Sequence, residues 1–294
     1  NIMSQMCSLY SNFKYKKSYC IQQNILNFEN IKCSPSSRMK LFVNFKPDIT
    51  KAYGGGNISV FYLIQNLADK YSDFELTYEL EPSTDLYLII DPFKDRGLFK
   101  KYSLDDVIAF KKIHGGKIAI RVNDCDKTRV IENNSRSREF QIMKNHAEID
   151  LFIFNSQYIK QYYFDKFQEA KISDNINYKV VINGCDQKIF KNRHKQIDDT
   201  VRIVTHHWSN NMHKGYQLYY DLWKYTQNND TNIEFTFIGK NVPEMFLDVP
   251  IKGPLVTDEL SDEINTHHIY ITDSRYDSCP NHVLEAISCG LPIL

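Results

Sequence analysis

Residues 276–294 read "YDSCPNHVLEAISCGLPIL", which places two carboxylates, Asp277 and Glu285, eight positions apart around the start of a short helical pattern. Carboxylates accept hydrogen bonds from hydroxyl groups, and a helix start offers free N–H groups to an anion. The loop Cys279, Pro280 and Asn281 exposes such N–H groups, with Asn281 as the N-cap of a helix beginning near His282. Glu285 then falls in or just after the first turn, where the helix dipole favours an acid whether or not it binds anything. Asp277 has no such structural reason.

A second cluster is "THHWSNNMHKG", residues 205–215, where an apolar run ends in His206, His207 and Trp208 and leads through Ser209 to Lys214 and Gly215 before a helix. A lysine at a helix start opposes the dipole unless an anion shares the spot, so this stretch reads as an anion pocket. The spacing of His206, His207 and His213 fits no standard zinc site, and no nearby Cys or Glu completes one. Gly54, Gly55, Gly56 and Asn57 form a third candidate: they would let backbone approach a ligand, or serve a plain flexible turn. Their spacing is neither the dinucleotide fingerprint nor the phosphate loop. The fourth is "RVNDCDKTR", in which Arg121, Asn123, Asp124, Asp126 and Arg129 either bind sugar hydroxyls or satisfy one another at the surface.

The elements that must position these residues form two series. Apolar runs at 40–45, 85–91, 117–124, 151–156 and 178–184 alternate with helical patterns, one of them "SLDDVIAFKKIHGG" with Ser103 as N-cap and Gly115 and Gly116 as C-cap. A second series runs from "VRIVTHHWS" through "GYQLYYDLWKYTQ", "IEFTFIGK", "VPIKGPL", "TDELSDEINT" and "HIYITDS" to "NHVLEAIS". Continuous apolar strands between amphipathic helices imply parallel sheets covered on both faces, hence α/β architecture with two doubly wound domains. Ligands of such sheets sit beyond the carboxyl ends of the strands, where all four clusters fall. The expected organisation is a weakly ordered extension at 1–38, a first domain at 39–190, and a shorter, incomplete second domain at 191–294.

With 36 basic and 36 acidic residues the chain carries no net charge, which argues against nucleic acid as a partner. Seven scattered cysteines without a C-x-x-C pair suggest reduced thiols and a cytoplasmic location. The first 38 residues lack an apolar signal core, and no run approaches the roughly eighteen apolar residues of a membrane span.

The spacing Asp277-x7-Glu285 followed by "AISCGLPIL" resembles the E-x7-E signature of the retaining nucleotide-sugar glycosyltransferases of family 4, with Asp in place of the first Glu. "VINGCDQKIF" resembles that family's link between domains, "HWSNNMHKG" its R-x-x-x-x-K-G pocket, and "FTFIGK" the strand ending in Gly239. The similarity covers roughly 39–294. Lys214 matches the family's lysine, while Ser209 stands where its arginine is usual. The resemblance implies a GT-B architecture, two Rossmann-like domains facing across a cleft, and transfer of a hexose-type sugar from a nucleotide-diphosphate sugar with retention. By that analogy Glu285 binds ribose, Asp277 the transferred sugar, and Lys214 the diphosphate. The loop 279–281 supplies N–H groups, Gly54–Gly56 belong to the first strand loop, and Arg121 and Asn123 take the place of a histidine near the reacting carbon.

No metal is expected, since a lysine and a helix start can stabilise the leaving diphosphate. The partners implied are a nucleotide sugar and a glycan, lipid or protein acceptor, with peripheral membrane contact as a further partner. Two other readings stay open: a catalytically degenerate sugar- or nucleotide-binding relative, suggested by Asp277 and Ser209, and an NAD-dependent oxidoreductase, which shares the sheet but lacks the glycine fingerprint here.

Overall fold

The computed structural model describes residues 38–48, 55–70, 74–95, 100–128, 137–172, 175–193, 199–228 and 232–294. Gly54, Arg129 and almost all of the expected N-terminal extension lie outside these residues.

The first sheet contains β1 (Met39–Val43), β2 (Phe74–Thr77), β3 (Leu86–Ile89), β4 (Lys117–Val122), β5 (Leu151–Phe154) and β6 (Tyr178–Val180). All pairs are parallel, in the order β2-β1-β3-β4-β5-β6. Its helices are α1 (Gly55–Lys70), α2 (Leu104–His114), α3 (Arg138–Lys144) and α4 (Gln157–Glu169). Strand alternation sorts the apolar residues into two layers. Phe42, Tyr87, Ile118, Ile120 and Phe152 pack with Leu104, Val107, Tyr163 and Phe167 of α2 and α4, whereas Leu41, Val43, Leu86, Leu88 and Ala119 pack with Val60 and Leu67 of α1.

The second sheet is also parallel, in the order β10-β7-β8-β9, from β7 (Val201–His207), β8 (Ile233–Gly239), β9 (Ile251–Lys252) and β10 (Ile269–Tyr270). The helices α5 (Tyr216–Asn228), α6 (Thr257–Asn265) and α7 (Asn281–Ser288) cover it. Val204, Ile238 and Tyr270 face α6 and α7 together with Phe190, while Phe237 faces Tyr216 and Tyr219 of α5 on the other side. The two doubly wound sheets expected from the strand and helix alternation are therefore present.

The ends of α2 follow from its sequence. The Ser103 hydroxyl accepts from the Asp106 N–H while the Asp106 carboxylate accepts from the Ser103 N–H, a capping box that stabilises a helix by about 1 kcal/mol. Gly115 closes it at φ 81°. Two elements lay hidden in the pattern. The strand β2 is four residues at the sheet edge, and α3 is seven residues capped by Ser137, each too short to show a period.

Order reverses beside β1 in the first sheet and beside β7 in the second. Open parallel sheets bind ligands at such switch points, here the loops after β7 and β10.

Candidate active site in the cleft

The loops after β7 and β10 bring Lys214 and Asp277 together. Lys214 Nζ donates to Asp277 Oδ2 at 2.6 Å, with both side chains about three-quarters buried. Lys214 closes a short turn, Met212–Lys214, rather than opening the helix itself. The turn ends on Gly215 at φ 89°, where a Cβ would stand 2.6 Å from Asp273 Cβ. Only glycine fits a left-handed residue this close to the loop after β10, and it holds the two loops in contact.

Glu285 lines the same cleft and is buried. It sits in the second turn of α7, so the dipole explanation for an acid at a helix start does not account for it. Its Oε2 is 2.9 Å from His206 Nε2. Tyr270 hydroxyl lies 3.1 Å from His206 Nδ1 and accepts from the His206 N–H.

The alternation along β7 explains why neighbouring histidines do different work. His206 faces α7 and Glu285, whereas His207 faces α5, with Nε2 3.0 Å from Tyr219 hydroxyl. His282 of α7 completes a buried trio, its ring centroid 4.7 Å from that of His207 and 5.9 Å from that of His206. Burial, reinforced by the neighbouring histidines and Lys214, holds His207 and His282 well below the ordinary histidine value, so both are neutral. The sequence reading named His206 and His207 as pocket residues and passed over His282, which appeared only as a helix residue. Among the described residues no group of three or more His, Cys, Asp or Glu side chains is placed to hold a metal ion.

Asn281 is the first helical residue of α7 rather than its N-cap, which is Pro280. Its side chain reaches across the cleft instead, donating to Ser59 Oγ at 2.8 Å and accepting from Asn183 Nδ2 at 2.8 Å. The same Asn183 amide donates to Cys279 O at 3.0 Å, and its Oδ1 accepts from Arg121. Nearby, Ser278 Oγ donates to Asn123 O at 2.7 Å and accepts from Asn155 Nδ2 at 2.9 Å. The loop after β10 is thus hydrogen-bonded to the strand ends of the first sheet. Asn155 and Asn183 carry much of this contact; Asn183 falls in "VINGCDQKIF", the stretch read as resembling a link between domains, and Asn155 lies in the apolar run 151–156.

The cleft encloses about 940 Å3, and its wall includes Gly56, Arg121, Asn123, Ser209, Lys214, Asp277, Cys279, Asn281 and Glu285. Gly55 and Gly56 are the first two residues of α1, not a loop ahead of it. Asn57 lines the cleft too, its side chain holding both backbone polar groups of Asp48. Gly239 and Pro280 are not on the wall. Gly239 serves the sheet: an added Cβ would stand within 2.8 Å of Phe237 and closer still to His207 O. Asn123 contributes its backbone carbonyl to the interdomain contact, and Ser209 O accepts from Tyr216 hydroxyl at 2.5 Å.

Two parallel sheets joined across such a cleft are shared with solved glycosyltransferase structures. The pneumococcal O-GlcNAc transferase GtfA in complex with UDP and GlcNAc matches at TM-score 0.52 and 16% identity, covering 82% of this chain. Anabaena HepE in complex with UDP-glucose matches at 0.57 and 12% identity, over 87% of this chain and 79% of that one. The E. coli trehalose-6-phosphate protein bound with UDP-2-fluoro glucose matches at 0.56 and 10% identity, over 85% and 81%. The chain has the GT-B fold. It spans 45% of the length of GtfA. No protein-family model and no curated protein matches it.

Within the GT-B frame the cleft lies between the two Rossmann-like sheets, and Lys214, Asp277 and Glu285 all belong to the second. Cys185 and Cys279 are free thiols. Among the described residues no helix is long and apolar enough to cross a membrane.

Proposed function

We propose that this chain carries the cleft of a glycosyltransferase that moves a hexose-type sugar from a nucleotide-diphosphate donor to a hydroxyl acceptor, with retention at the anomeric carbon. The observation that carries the proposal is the Lys214–Asp277 pair, 2.6 Å apart at the switch point of the second sheet, in a cleft also lined by the buried Glu285. A cation and a helix start are what a diphosphate needs as its bond to the sugar breaks, and a carboxylate is what sugar hydroxyls need.

In this reading the diphosphate lies between Lys214 and the start of α7, and takes over part of Lys214's charge from Asp277. Asp277 then turns its oxygens to hydroxyls of the transferred sugar. Glu285, locked by His206, accepts from the ribose. The bond from the anomeric carbon to the phosphate oxygen breaks while a bond to the acceptor oxygen forms on the same face, the acceptor's proton passing to the departing phosphate oxygen and the remaining charge being stabilised by Lys214. The domain before residue 191 would hold the acceptor, and no metal is required for these steps.

The names of the similar structures support a UDP-linked donor, since GtfA, HepE and the trehalose-6-phosphate protein were each solved with UDP or a UDP-sugar. The test is a thermal-shift panel of uridine, guanosine and adenosine diphosphate sugars, followed by assay of transfer and hydrolysis. Stabilisation by one nucleotide family together with turnover is the expected result. Stabilisation without turnover assigns the chain to a non-catalytic binding role, and no stabilisation by any donor overturns the proposal.

A further inference from the structure

Two arginines line the cleft wall on the first sheet, and their charges are treated differently. Arg138 is neutralised: its Nη2 lies 2.7 Å from Asp91 Oδ2 and its Nε 3.6 Å from Asp124 Oδ1. Arg121, in β4, has no carboxylate beside it among the described residues; its hydrogen bond goes to the neutral side-chain carbonyl of Asn183. A guanidinium has five N–H donors, and burial depresses the pKa of Arg121, offset only by the neighbouring Cys279 sulfur. A part-buried cation with no carboxylate beside it favours a ligand that supplies the anion.

On the same wall, one polar atom has no hydrogen bond. Asn155 follows β5, is 2% exposed, and its Oδ1 is buried without a hydrogen bond. Its amide cannot turn over to relieve this, because Nδ2 is used twice, toward Asn123 O at 2.8 Å and Ser278 Oγ at 2.9 Å. Oδ1 is therefore a fixed acceptor that lacks a donor such as a hydroxyl.

We infer that Arg121 and Asn155 form an anion subsite on the first sheet, distinct from the Lys214 pocket, which takes an acceptor carrying a phosphate or carboxylate group next to a hydroxyl. The chemical class is an acidic sugar or polyol: Arg121 binds the oxyanion and Asn155 Oδ1 accepts the hydroxyl. The Asn183 amide separates Arg121 from the donor side, since its Oδ1 holds Arg121 while its Nδ2 holds Cys279 O and Asn281 at the start of α7. Only the word acceptor rests on the glycosyltransferase reading; the anion subsite follows from these two groups.

The experiment is calorimetric titration of the whole chain with inorganic phosphate, glucose 6-phosphate and glucose, each with and without saturating UDP. Glucose 6-phosphate is expected to bind at least about tenfold more tightly than glucose, as charge-assisted pairing with arginine requires. Its binding should persist when UDP is saturating. Arg121→Gln should lose about tenfold or more in glucose 6-phosphate affinity with UDP affinity nearly unchanged, and Arg121→Lys should recover part of the loss. Unchanged thermal unfolding of both variants shows that they are folded, and the UDP competition in the wild type needs no variant.

The inference is overturned if UDP displaces the phosphate, if Arg121→Gln weakens UDP as much as Lys214→Gln does, or if neither phosphate probe binds. Glucose 6-phosphate binding no better than inorganic phosphate overturns the role of Asn155. Phosphate binding without any UDP binding would sink the donor assignment and leave this subsite standing.

Discussion

Glu285 Oε2 lies 2.9 Å from His206 Nε2, in a contact buried between β7 and α7. The carboxylate is thereby fixed in direction, and the hydrogen-bonded Tyr270 fixes the imidazole in turn. Glu285→Gln keeps an acceptor but loses the charge, and Glu285→Ala leaves His206 without its partner. Titration with UDP and 2′-deoxy-UDP checks the consequence. The wild type should prefer UDP by about tenfold, a preference that shrinks in Glu285→Gln, while Glu285→Ala should lose donor binding altogether. An unchanged preference would remove Glu285 from the ribose.

Lys214 and Asp277 should respond oppositely to UDP. Lys214→Gln removes the cation and is expected to weaken UDP by about tenfold or more, an effect that shrinks at high salt. Asp277→Asn removes a negative charge beside the diphosphate, so UDP binding should hold or tighten, while the extra affinity of a UDP-sugar over UDP disappears. Affinities for UDP and UDP-glucose measured at two salt concentrations decide the matter.

Donor affinity should not depend on divalent metal. Thermal stabilisation by the active donor, measured before and after exhaustive chelation, is expected to stay the same, because Lys214 and the start of α7 supply the positive charge in this reading. A loss restored by added magnesium or manganese would contradict it.

His207 and His282 are buried and neutral, which gives stability a pH dependence of known sign. Their folded pKa values are depressed, so below the ordinary histidine value the unfolded chain binds protons that the folded chain does not. Folding stability therefore falls as pH falls below about 6.5, by about 1.4 kcal/mol per pH unit for each histidine until the folded form also protonates. Thermal unfolding between pH 5 and 8 should show the slope, and His282→Asn should roughly halve it.

Gly215 holds Lys214 in place through a left-handed turn packed on Asp273. Gly215→Ala meets both backbone strain and a clash, and is expected to cost about 1–3 kcal/mol in stability and to weaken UDP as well. Chemical denaturation and UDP titration of this one variant test the two effects. A stable variant with normal UDP affinity would show that the turn is not needed.

Much of this protein could be read along the chain because its signals are local. The capped helix at Ser103, the apolar runs of β3, β5, β7 and β8, and the turn before α5 each follow from neighbours a few residues apart. The spacing of Asp277 and Glu285, with Lys214 upstream, likewise marks these residues in the sequence, and the structure lines one cleft with all three. Short elements such as β2 and α3 escaped because four or seven residues define no period.

By itself the sequence determined the alternation of strand and helix, hence two parallel sheets, and which loops could carry chemistry. Only the tertiary structure decided who meets whom, because pairings such as Lys214 with Asp277, His206 with Glu285, and Asn183 with both Arg121 and Cys279 depend on where the strand order reverses and how the two sheets meet. Such contacts join residues 62 to 96 positions apart, and no local preference of the backbone encodes them. For the same reason Asn281, read as a cap, became a bridge to Ser59: its partner lies 222 positions away, on the other side of the cleft.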